Sequence, residues 1–123
     1  MAIAGKTAAQ PAIVYGGTKL RSCEDDRNDV LSSVASVWEL AIKASIGKID
    51  VGEPLDDFLM EQVEANRILL LDVTARHALA VRSLPFHHRD PFDRLLVAQA
   101  QCEALTVVSH DEAFARYDVP VLW

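Results

Sequence analysis

The chain has 123 residues, a formal net charge of −6, and hydrophobic residues at half of its positions. That length suits one domain, and that composition excludes a disordered tail, a collagen-like fibre and a low-complexity segment. So acidic a chain is a poor general binder of nucleic-acid backbones, so any such work must rest on a local basic patch or on bound cations.

Residues 1–29 differ from the rest and are expected to form an atypical N-terminal segment. Pro11, Gly16, Gly17 and the polar run 22–29 break any period, and only 12–15 (Ala-Ile-Val-Tyr) could make a short strand. The two cysteines, Cys23 and Cys102, belong to no C-x-x-C pair, which argues against structural zinc and fits a reducing, cytoplasmic setting. No apolar run reaches the ~18 residues that a membrane span needs.

From residue 30 a single domain is expected to run to residue 123. Residues 30–34 read as a strand. Ser36 then opens a helix, because Ser36-Val37-Trp38-Glu39 has the spacing of a capping box. Val37, Leu40, Ala41 and Ala44 form its apolar stripe, Trp38 is expected in the core, and Gly47 stops it. A second helix, 54–66, starts with Pro54 at its first position. Its acids, Asp56, Asp57, Glu61 and Glu64, fill the outer face. Residues 68–73 read as a buried strand, and Thr74 caps a short helix that reaches Arg82. Asp90-Pro91 begins the next helix, with Asp93 at its third position, running to about Cys102. Residues 105–109, 111–116 and 119–122 read as strand, short helix and strand. Strands that alternate with helices and are apolar on both faces predict an α/β sandwich with a mainly parallel sheet.

In such sheets ligands bind beyond the carboxyl ends of the strands. Glu39, Asp93 and Asp111 are expected there, each in the first turn of a helix. Carboxylates gathered at one pole can hold Mg²⁺ or Mn²⁺, ions that activate water and neutralise charge on a phosphodiester. Each acid also has a plain reading. Glu39 completes a capping box, Asp90 and Asp93 cap a helix and favour its dipole, and Asp111 is an N-cap. His87, His88, Arg89 and Arg94 form a basic patch that could take RNA phosphates or simply neutralise the neighbouring acids. A zinc site from His87, His88 and Asp90 lacks a fourth ligand.

Ser36-Val37-Trp38-Glu39-Leu40-Ala41-Ile42-Lys43 resembles the second acidic motif of PIN-domain ribonucleases of the VapC toxin type. The stretch from His87-His88-Arg89-Asp90-Pro91-Phe92-Asp93-Arg94 through Ala100 resembles their third, and Leu105-Thr106-Val107-Val108-Ser109-His110-Asp111 their fourth. The likeness runs from about Asp26 to the end. It implies a three-layer α/β/α fold, metal-assisted hydrolysis of RNA, and Glu39, Asp93 and Asp111 as catalytic metal-binding acids with Asp90 as an accessory. It also implies Mg²⁺ or Mn²⁺ as cofactor, a cognate antitoxin and a second copy of the chain as partners, and a candidate antitoxin groove along helix 54–66. The N-terminus departs from the pattern. The family's first, central strand ends in a metal-binding Asp, whereas no acid precedes Glu24 here. That strand is therefore expected to be absent or replaced, by truncation or a mistaken start, and the chain to be a weak or inactive ribonuclease. A catalytically impaired remnant that only binds protein is the alternative, and a plain α/β binding module whose acids are helix caps is a further one.

Overall fold

A computed structural model describes residues 2–4, 30–109 and 111–122. Cys23 and the expected strand 12–15 lie outside these residues. Strand β1 (Ala2–Ala4) is followed in the described chain by β2 (Val30–Ser33), α1 (Val34–Ser45), α2 (Leu55–Ala65), β3 (Ile68–Leu71) and α3 (Ala75–Ala80). A 3-10 turn (Val81–Ser83), α4 (Pro91–Glu103), β4 (Thr106–Val108), a second 3-10 turn (Glu112–Arg116) and β5 (Val121–Leu122) complete it. The α/β class expected from the sequence is the observed one.

The five strands lie in the order β3-β2-β1-β4-β5. β2 pairs with β3 in parallel, Val30 opposite Ile68 and Ser33 opposite Leu71, and β4 pairs with β5 in parallel. The centre is held by Ala2–Ala4, which runs antiparallel to both β2 and β4, so the sheet is mixed. Because β2 and β4 both oppose β1, they point the same way. Their carboxyl ends therefore lie at one pole.

Helix α1 starts earlier than the Ser36 capping box predicts. Its N-cap is Ser33, whose hydroxyl accepts from the Ala35 N–H and donates to Gln99 Oε1 on α4. A partner 66 residues away thus selects between two candidate serines. The earlier start moves Glu39 from the first turn to the second. Trp38 is not in the core either. It is 61% exposed, and its ring meets the edge of Phe92 at 5.2 Å. Pro54 is the N-cap of α2 rather than its first helical residue. Thr74 caps α3 as expected, and forms a capping box with His77 that the sequence reading did not single out.

Asp90 caps α4 and Pro91 opens it, as predicted. The inner face of α4 buries Leu96, Val97, Ala98 and Ala100 against β4, whose three residues are all buried, with Phe114, Tyr117, Leu84, Val30 and Ile68 completing the core. Ala104 ends α4 in the left-handed region (φ 55), and the chain turns straight back into β4. The start of α4 is thereby level with the end of β4. At the sheet's far edge, β3 leaves Leu69 and Leu70 substantially exposed. A buried polar chain ties the layers together. Gln99 reaches the Asp72 carbonyl and His77 Nδ1, and His77 Nε2 stands 2.8 Å from Glu103. His77 Nδ1 accepts from the Thr74 N–H, so Nε2 carries the proton and donates to Glu103. Among the described residues, no helix is long and apolar enough to cross a membrane.

Candidate metal centre

Asp93 and Asp111 reach the same pole from different elements. Asp93 stands in the first turn of α4, and Asp111 caps the 3-10 turn that follows β4, its Oδ1 accepting from the Ala113 N–H at 2.9 Å. Between them comes His88, from the loop before α4. One ligand atom each of His88, Asp93 and Asp111 lie within 4.8 Å of one another. An ion held at about 2.1 Å spans ligands up to about 4 Å apart, so the three atoms stand near the reach of a single divalent cation. Two carboxylates and an imidazole are suitable donors for such an ion.

The electrostatics single out Asp93. Partial burial, above all, pushes its pKa up to about 6, and the charges of Asp90, Glu39 and Asp111 push the same way, while His88 opposes them. Asp111 is exposed and moves the other way. The Ala113 N–H, then the hydrogen bond from His88, hold it below the ordinary carboxylate range, helped by the charge of Arg116. The pole therefore concentrates negative charge around one half-buried acid, which a cation would relieve.

Glu39 stands apart from the three-atom cluster. Its carboxylate pairs with Lys43 at 3.2 Å, one turn on, although its field still reaches Asp93. Asp90 is spent on the helix cap, Oδ1 accepting from the Phe92 N–H at 2.8 Å. The expected basic patch divides. Arg89 is exposed, and His87 lies half-buried with its ring edge-on to Tyr117 at 4.9 Å. Arg94 is 7% exposed and does not belong to a phosphate-facing surface. Its guanidinium donates to the carbonyls of Pro85 (2.8 Å), Val81 (3.1 Å) and Leu84 (3.3 Å), and lies 4.2 Å from the centre of the Phe86 ring. It holds the loop that delivers His88.

His88 was legible only as part of that basic patch. Its contact with Asp111 joins residues 23 apart across two loops, and no spacing rule announces it. Away from the pole, Glu39 also borders an apolar groove walled by α1, α2 and β3, with Phe58, Leu59, Val63 and Leu70 among its lining.

The PIN domain family model matches residues 17–120, and the chain belongs to that family. PIN domains are nucleases that generally use a divalent metal, and the fold and the acidic pole are in keeping with that class. No curated protein matches the chain.

Proposed function

We propose that the chain is a Mg²⁺- or Mn²⁺-dependent endoribonuclease and the toxin of a type II toxin–antitoxin pair. The observation that carries this reading is the convergence of Asp93 and Asp111, from separate elements, on a pole where burial, and then the neighbouring acids, raise the Asp93 pKa to about 6. Asp111, ionised and exposed, would anchor the cation, and Asp93 would join it as its proton leaves. Glu39 adds negative potential from the next helix and orients Lys43. Exposed Arg89 and half-buried His87, which flank His88 in the chain, would take RNA phosphates. A bound cation would supply a Lewis acid that lowers the pKa of water and offsets charge on the phosphodiester. The proposed protein partners are a cognate antitoxin, seated in the groove between α1 and α2, and a second copy of the chain.

The test is cleavage of fluorescent single-stranded RNA with Mg²⁺ or Mn²⁺, by the chain and by Asp93→Asn. Weak cation-dependent cleavage is expected, falling by about 100-fold or more in the variant, since loosening the ion by even ~1 Å costs that much. Equal cleavage by both proteins would sink the assignment of Asp93. A second reading, a PIN domain kept for protein binding alone, is favoured by the central strand itself. Its residues, Ala2–Ala4, carry no carboxylate. Tight cation binding without any cleavage would select it.

A further inference from the structure

We propose that His88 is a metal ligand, making the centre a site of one histidine and two carboxylates that prefers Mn²⁺ and Co²⁺ over Mg²⁺. The inference rests on the reading of the pole as a cation site and concerns which ion it takes. His88 is the best-prepared of the three donors. Its side chain is 7% exposed, and its Nε2 lies 2.9 Å from Asp111 Oδ2, inside the cluster with Asp93. The ring cannot easily turn away. It stacks on Tyr117, with centroids 5.5 Å apart and planes 5° from parallel, and it meets the Phe114 ring, tilted by 46°, at 4.5 Å between centroids.

The far nitrogen is held as well. The Tyr117 hydroxyl lies 3.2 Å from His88 Nδ1 and accepts from the His88 backbone N–H at 3.0 Å. A phenolic oxygen has a second lone pair, so it can also accept from Nδ1–H. That tautomer leaves the Nε2 lone pair facing Asp93 and Asp111. In the other tautomer Nε2–H donates to Asp111, and a cation would replace this proton. Metal-bound histidines typically have the other ring nitrogen fixed by such a partner. Arg94, clamped on three carbonyls of the preceding loop, fixes the backbone that carries the ring.

The choice of ion follows from the donors. Mg²⁺ strongly favours oxygen and dehydrates reluctantly, whereas imidazole suits first-row transition ions, whose affinities rise from Mn²⁺ to Co²⁺. A centre that counts on one imidazole nitrogen gains little from Mg²⁺ at that position.

The test is calorimetric titration of the apo chain with Mg²⁺, Mn²⁺ and Co²⁺, together with the visible absorption of the Co²⁺ form. His88→Gln, Asp93→Asn and Tyr117→Phe are compared, with melting curves to establish that each is folded. His88→Gln is expected to weaken Mn²⁺ and Co²⁺ at least about tenfold, to leave Mg²⁺ within about twofold, and to change the Co²⁺ spectrum. Tyr117→Phe, which keeps the stacked ring, should weaken Mn²⁺ by a smaller factor. If His88→Gln does not fold, the contact-shifted imidazole N–H signal that a histidine bonded to Co²⁺ shows in the proton spectrum of the unaltered chain gives the answer. Mn²⁺ affinity that depends on Asp93 but not on His88, or a Co²⁺ form without a contact-shifted imidazole N–H, would overturn the ligand assignment and leave the proposed function standing. No binding of any of the three ions would overturn both.

Discussion

Asp93 carries a pH signature that a helix-capping acid would lack. Its pKa is raised from 3.8 to about 6 in the fold. Below pH 3.8 both folded and unfolded chains hold the proton. As pH rises through the window to 6, the unfolded chain ionises first, so this group's contribution to stability falls and then levels off. Thermal melts in a cation-free buffer should show the unaltered chain losing stability across that window relative to Asp93→Asn. Millimolar Mn²⁺ should restore it at pH 7, because the ion binds only the native state. A pH profile parallel to that of Asp93→Asn would refute this. Arg94 makes a second residue-scale case. Removing a buried guanidinium takes a donor from three carbonyls, of which Val81 keeps the Leu84 N–H, so Arg94→Met should cost about 2–4 kcal/mol in urea denaturation. Arg94→Lys should recover little of it, since a point charge cannot serve three acceptors in a fork.

At the scale of elements, the helices were largely legible and their starts were not. Asp90-Pro91 marked the start of α4 because a cap and a fixed φ are local chemistry. Ser36 offered an equally good local box, yet Ser33 caps α1 because Gln99 waits across the core. Pairing over such a distance leaves no periodic trace. Ser33→Ala and Gln99→Leu should therefore be non-additive, with a coupling of about 0.5–3 kcal/mol in a double-mutant cycle. Additive losses would show that the cap acts alone. The misplaced Trp38 has a related cause, since an apolar helix residue reads as core whichever side of the stripe it borders. With most of its surface in water, Trp38→Ala should cost only about 1 kcal/mol, chiefly its contact with Phe92. Phe114, at 0% exposure, should cost about 3–5 kcal/mol on the same change. Chemical denaturation of the two variants checks the ranking.

Across the whole molecule, the resemblance pointed to Asp93 and Asp111, which the fold brings together, and to Glu39, which stands apart from them, while the strand order was not legible. Which segment fills the centre of the sheet depends on pairing between chain ends, and Ala2–Ala4 has too little pattern to announce itself. The net charge of −6 also acts at this scale, because RNA approaching the acidic pole meets repulsion unless a cation screens it. Chelating divalent ions should weaken binding of a non-cleavable 2′-O-methyl RNA by at least about tenfold in fluorescence anisotropy. Unchanged affinity would show that RNA docks away from the pole. The sheet's outer border has a different consequence, for handling rather than chemistry. Ile68–Leu71 (Ile-Leu-Leu-Leu) is an edge strand without a charge, and its two middle side chains face water. Such a border is a template for misassembly between copies during refolding. Leu69→Lys, at the more exposed of the two and outside the groove lining, should raise the soluble yield from denaturant and slow the growth of light scattering, at little expense to the native fold.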